Sequence, residues 1–298
     1  MKNVKFISLA AAVTAMVFTL SCSSDDDGGG GSSSSSEGSQ GSVSNSSSGG
    51  LSSSTLGISS SSGSGGGDGG KPYRIVEIGT QTWMAENLNY AVAGSKCYGE
   101  GGEVLIGYDE DDNPITKTLS PAEVQDNCTK YGRLYDWATA MNLPSSCNSD
   151  FCSSQINSPH HQGICPAGWH IPSRDDWDEL FRFVDIDNGG EGDDRDNSAG
   201  RYLKAATSWN YNSENNSDGN GTDNYGFSAL SSGRGGFFSD FPDGIIFHAI
   251  GDRSYWWCAD EDDTVDSSCY GYIYYNGEYA RSSNLFKSYL FSVRCVQD

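Results

Sequence analysis

Pro172-Ser173-Arg174-Asp175-Asp176-Trp177-Asp178-Glu179-Leu180-Phe181-Arg182-Phe183-Val184 reads as a helix from both its cap and its face. Ser173, followed three residues later by Asp176, makes a capping box in which hydroxyl and carboxylate each take an orphan N–H of the first turn. Pro172 fixes the chain just before it. Trp177, Leu180, Phe181 and Val184 then recur at helical spacing, so one face is apolar and has to be buried. A second start, Ser120-Pro121-Ala122-Glu123, joins a cap residue, a proline at the first helical position and a reciprocal acid. Leu134, Trp137, Ala138 and Met141 also recur at helical spacing and read as core.

Away from these helices the period changes. Arg74-Ile75-Val76-Glu77-Ile78 alternates, Gly79-Thr80 can turn, and Gln81-Thr82-Trp83-Met84 continues, which predicts a hairpin. Residues 103–108 and 115–119 flank Asp109-Glu110-Asp111-Asp112-Asn113-Pro114, a second hairpin with an acidic tip. From Asn210 onward the chain reads as Gly, Asn and Asp loops with brief aromatic strands at 254–259, 270–275 and 290–296. Helices early and strands late predict an α+β domain of short helices, small antiparallel sheets and long loops.

The N-terminus is of another kind. Lys2 and Lys5 precede an apolar run of 15 residues, 6–20, which is the pattern of a signal peptide over residues 1–21 and too short for a comfortable membrane span. Thr19-Leu20-Ser21-Cys22 resembles a bacterial lipoprotein cleavage box, which implies a lipid on Cys22 and a membrane as the first partner. The alternative is simple secretion with Cys22 free. Ser23-Ser24-Asp25-Asp26-Asp27 resembles the acidic signal that sends some lipoproteins to the outer face of the outer membrane; otherwise it is a solvated charge run. Residues 23–70 hold 21 Ser and 15 Gly in 48 positions and no aromatic residue, so they bury no core. As a flexible tether such a segment spans on the order of 40 Å. Residues 71–298 are left as one domain.

The formal net charge of −22 makes nucleic acid and anionic lipid poor partners. With Cys22 set aside, eight cysteines remain: Cys97, Cys128, Cys147, Cys152, Cys165, Cys258, Cys269 and Cys295. An even set in a secreted chain predicts disulfides, and no pair has the spacing of a zinc ribbon. His160 and His161 stand together in a Ser/Pro-rich stretch and read as surface loop residues.

Several stretches carry a resemblance. Ile75-Val76-Glu77-Ile78-Gly79-Thr80-Gln81-Thr82-Trp83-Met84-Ala85-Glu86-Asn87-Leu88-Asn89-Tyr90 is similar to the Fibrobacter succinogenes major paralogous domain. So are Cys128 with Tyr131-Gly132-Arg133-Leu134-Tyr135-Asp136-Trp137-Ala138, then Cys165-Pro166-Ala167-Gly168-Trp169-His170-Ile171-Pro172-Ser173, Tyr225-Gly226-Phe227-Ser228-Ala229-Leu230, and Ser292-Val293-Arg294-Cys295-Val296. The chain departs from the family at Ser231-Ser232-Gly233, where Pro-Gly-Gly is more usual, a change expected to alter a loop. The resemblance implies a fold like C-type lectins and formylglycine-generating enzymes, and a surface module proposed to act in adhesion to plant polysaccharide. It also implies the pairs Cys97 with Cys128 and Cys165 with Cys295, leaving Cys147 with Cys152 and Cys258 with Cys269 as close-spaced additions.

Enzyme signatures are missing. No Gly-x-Ser-x-Gly turn frames a serine within the domain, and acidic residues are too many to single out a pair for glycoside hydrolysis. An oxidase of the formylglycine-generating kind would need reactive thiols near the C-terminus, where disulfides are expected instead. No catalytic residue and no cofactor is assigned. The loop from Asp185 to Asp194 is rich in acids and glycines but fails the EF-hand pattern, and it reads as structural. The binding candidates are Tyr270, Tyr272 and Tyr274, which alternate onto one strand face, with Ile273 on the buried side. Trp256 and Trp257 point oppositely, so at most one can join that platform. The expected ligand is a neutral polysaccharide of plant or cell-wall origin. The competing readings are aromatics that merely pack the domain, and a structural protein of the cell envelope.

Overall fold

In the computed structural model the described residues are 72–298, apart from 158, 194–195, 214–215 and 239–240. The stretches expected to be a signal peptide and a Ser/Gly tether, with Cys22, lie outside them. Strand β1 (Ile75–Ile78) turns at Gly79, whose φ of +60° suits a residue without Cβ, into β2 (Gln81–Met84). The second hairpin is β3 (Glu103–Tyr108) and β4 (Pro114–Lys117), where Asp109 accepts hydrogen bonds from the backbone N–H groups of Asp111 and Asn113 to close the acidic tip. Helix α1 (Pro121–Tyr131) opens on the complete Ser120/Glu123 capping box. The single turn α2 (Trp137–Ala140) is capped by Asp136. Leu134 is not on this turn but pairs with Lys96 as an isolated bridge, although all four apolar residues of the expected stripe are buried.

Strand β5 (Trp169–His170) leads through Ser173 into α3 (Arg174–Asp187), the longest helix among the described residues, and α4 (Ala199–Leu203) follows. The C-terminal part is more regular than its Gly- and Asn-rich sequence suggests. It forms β6 (Ser232–Phe238), β7 (Phe241–Ile250), β8 (Arg253–Glu261), β9 (Ser267–Tyr274) and β10 (Ala280–Phe286). The strand expected at 290–296 is confined to β11 (Val296–Gln297); before it, Leu290, Phe291 and Ser292 make single bridges to Gly235, Tyr135 and Trp256.

These strands make two sheets in an α+β fold. The smaller has the order β1-β2-β11-β5, so the closing strand sits between the first hairpin and the lead-in to α3. The larger is not a small antiparallel sheet. It has seven strands in the order β10-β9-β8-β6-β7-β3-β4, with β3·β7 and β6·β8 parallel. In Ser231-Ser232-Gly233 only Ser231 lies outside a strand. Ser232 begins β6 fully buried, and its hydroxyl lies 3.0 Å from the hydroxyls of Ser254 and Ser292. Gly233 has φ +65° and no room for a Cβ, which would meet the His248 carbonyl at 2.6 Å.

The core has two main parts. Under α3, Trp177 lies against Trp83 at 4.7 Å and Trp256 at 5.5 Å between ring centroids, with Leu180, Val184 and Phe227 buried around them. On the other side Tyr135, Trp137, Met141, Trp257, Phe291 and Val293 form the second cluster. Four disulfides join Cys97 to Cys128, Cys147 to Cys152, Cys165 to Cys295 and Cys258 to Cys269. Among the described residues no helix is long and apolar enough to cross a membrane.

Candidate functional site

The register of the large sheet assembles one aromatic face. On β9, Tyr270, Tyr272 and Tyr274 point the same way, opposite Trp257, Tyr255 and Arg253 of β8; Ser283 and Arg281 of β10 stand opposite Tyr270 and Tyr272. The face is sealed at one end. Phe291 stacks on Tyr255 at 4.9 Å and packs, tilted, against Trp257 at 4.4 Å and Tyr270 at 5.3 Å, so Tyr270 is only 7% exposed and Trp257 is wholly buried. Trp256 points to the opposite face and is buried under α3. Both indoles are therefore removed from any ligand platform, and so, for most of its ring, is Tyr270.

At its other end the face opens. Tyr272 and Tyr274 are half-buried, 4.9 Å apart, and Tyr279 meets them edge-on at 6.4 and 6.3 Å. Two guanidiniums lie on these rings: Arg253 over Tyr274 at 4.6 Å and Arg281 over Tyr279 at 4.1 Å. Arg234 on β6 continues the row, lying over Tyr255, Tyr289 and Phe238, while its Nε donates to His248 at 2.8 Å. Burial pushes the Tyr270 phenol up to about 12 and also raises Tyr272 and Tyr274, so all three stay protonated at neutral pH. Burial, with the charges of Arg234 and Arg253, pushes His248 down to about 3, leaving it a neutral acceptor. Tyr279 and the arginines escaped the sequence reading because the arginines join the tyrosines only through strand register and Tyr279 only through the turn into β10. One signal was present: Arg253, Tyr255 and Trp257 alternate as the tyrosines of β9 do.

The quoted motifs converge elsewhere, in the core. Asn87 Oδ1 accepts from Trp256 Nε1 at 2.8 Å and from Arg294 Nε and Nη2 at 3.2 and 2.9 Å, while its Nδ2 donates to the Tyr131 carbonyl and the Ser292 hydroxyl. Arg294 is fully buried, donates also to the Phe227 carbonyl and lies 4.2 Å over the Phe227 ring. The family model described as the Fibrobacter succinogenes major domain matches residues 76–297, well over half of the chain. The chain belongs to this family. No curated protein and no solved structure matches it. In this member of the Fibrobacter succinogenes major domain family, Asn87, Tyr131, Phe227, Ser292 and Arg294 are buried and hold the fold.

The remaining candidates separate. Asp185 is buried and accepts from the N–H of Gly192 and from both the N–H and hydroxyl of Ser198, so its carboxylate folds the loop after α3. His160 and His161 do not behave as a pair. His160 is exposed, but His161 is buried rather than on the surface, its Nε2 2.8 Å from the Met141 carbonyl and its Nδ1 accepting from the Asn157 N–H. Their equal look in sequence hides an inward anchor beside an outward ring.

Proposed function

We propose that this chain is a lipoprotein held at the outer membrane through Cys22 and displaying, on its Ser/Gly tether, a non-catalytic module that binds polysaccharide. The observation that carries the reading is the open end of the aromatic face, where Tyr272, Tyr274 and Tyr279 stand with Arg253 and Arg281. Tyrosine rings stack on the C–H faces of neutral sugars, and phenol and guanidinium donors are placed for their hydroxyls. A relationship to C-type lectins, suggested by Trp169-His170-Ile171-Pro172-Ser173, belongs to the same proposal.

Retention of the secreted chain on insoluble plant and cell-wall polysaccharides tests it. Tyr272→Ala and Tyr274→Ala should each weaken retention about tenfold, equivalent to about 1.4 kcal/mol, with the melting temperature little changed. If the wild type is retained on none of them, the site is wrong. A structural protein of the envelope then becomes the better reading, one that the burial of Tyr270 already favours. The anchor is tested separately: Cys22→Ala should move the protein from the membrane to the soluble fraction, and unchanged fractionation overturns the lipid.

A further inference from the structure

At the β5 edge of the small sheet, three residues far apart in sequence meet. His170 lies on β5, paired with Val296 of β11, and Asp298 follows that strand with its N–H donating to the Gly168 carbonyl at 3.1 Å. His170 Nδ1 is 2.8 Å from Asp298 Oδ1. The exposed His160 ring stacks on His170 at 4.3 Å between centroids and 14° between planes. It is delivered there by the buried His161, whose carbonyl accepts from the Ile171 N–H next to His170. One ligating atom from each of His160, His170 and Asp298 lies within 4.8 Å of the other two.

We propose that His160, His170 and Asp298 form a binding site for a divalent transition metal ion of the zinc class. Two imidazoles and one carboxylate suit a borderline ion, whereas calcium and magnesium call for oxygen donors alone. Two donors on one tetrahedral zinc stand about 3.3 Å apart, so the Nδ1 to Oδ1 spacing needs to open only slightly. The second ring nitrogen supplies an independent sign. His170 is 2% exposed, and its Nε2 faces the Asp176 carboxylate, with Oδ2 at 3.5 Å. Asp176 is itself fixed by the capping box of α3, accepting from the Ser173 N–H and hydroxyl. A buried imidazole with a carboxylate behind one nitrogen and a ligand set before the other is the arrangement that orients metal-binding histidines. His160 completes the set by turning about its side-chain torsions, which its exposed position allows. With three protein ligands, one coordination position is left for water or an outside donor. The ion would tie the stretch that carries His160 and His161 to the closing strand.

The full chain, stripped with chelator and titrated with Zn2+ by calorimetry, tests the site. One equivalent should bind with a dissociation constant at or below about 10 μM, and His160→Ala and Asp298→Asn should each weaken it at least about tenfold. Both side chains are exposed enough to be changed without emptying the core, and the melting temperature without metal checks that. Co2+ in place of Zn2+ should give a visible absorption band of nitrogen and oxygen ligation that His160→Ala abolishes. No binding by the wild type at millimolar Zn2+ overturns the proposal. Equal binding by both variants overturns it too, since the ion then sits elsewhere on this acidic chain.

Discussion

One amide, Asn87, makes five hydrogen bonds, binding Trp256 and Arg294 through its oxygen and Tyr131 and Ser292 through its nitrogen. Among the described residues, no carboxylate lies within ion-pair reach of the guanidinium it holds. Burial pushes Arg294 down to about 9, so it remains a cation at neutral pH whose charge rests on carbonyl oxygens and the Phe227 ring. Asn87→Ala strips the guanidinium and an indole N–H of their shared acceptor inside the core. The expected loss is about 3–5 kcal/mol, the scale seen when one partner of a buried charge is removed. Asn87→Asp loses the amide donors but keeps the acceptor and sets a negative charge against the guanidinium, so it should cost clearly less; urea unfolding of the two variants checks the order. Nothing in the letters Glu86-Asn87-Leu88 reveals this. Neighbours 169 and 207 residues away supply it, and local pattern carries no information at that range.

Among the elements, α3 was the most legible because its cap and its apolar face are both local, and both are realised: Ser173 and Asp176 exchange the two capping hydrogen bonds, and Trp177, Leu180, Phe181 and Val184 are buried. The two contributions differ in size. Ser173→Ala should cost about 1 kcal/mol, as cap deletions do. Trp177→Ala should cost about 3–5 kcal/mol, since it empties a site packed by Trp83, Trp256 and Phe181. Thermal or urea unfolding of the pair tests whether packing rather than capping holds the helix. The strands were less legible where their apolar residues do not alternate cleanly. Strand β7, ten residues long, starts with Phe241-Pro242-Asp243-Gly244, turn vocabulary that pairing with β6 overrides. Sequence separated the two faces of β9 correctly at Ile273 but missed Phe291, which arrives from beyond β10 and seals the Tyr270 end. Half of the expected platform was thus visible from alternation, and the half that decides its exposure was not.

At the scale of the whole molecule, the small sheet joins the two ends of the domain. Strand β11 lies between β2, near the start, and β5, so the fold closes only when residue 296 has found residues 83 and 170. The Cys165–Cys295 bond stands at that closure with a sequence separation of 130, whereas Cys147–Cys152 spans 5. A cross-link that acts on the unfolded chain gains with loop length, giving about 5 kcal/mol for the long loop and about 2 kcal/mol for the short one. Replacing Cys165 and Cys295 together by alanine should therefore destabilise the domain more than twice as much as replacing Cys147 and Cys152. Urea unfolding under non-reducing conditions measures both. The slopes with denaturant carry a second check, because an unfolded chain released from the long loop exposes more surface, so that variant should show the steeper transition. Equal losses for the two pairs would mean that native packing around the sulfurs, not closure of the chain, sets their worth. Steepening confined to the long-loop variant would place the stabilisation in the unfolded state, where the meeting of β11 with β2 and β5 is otherwise most costly in entropy.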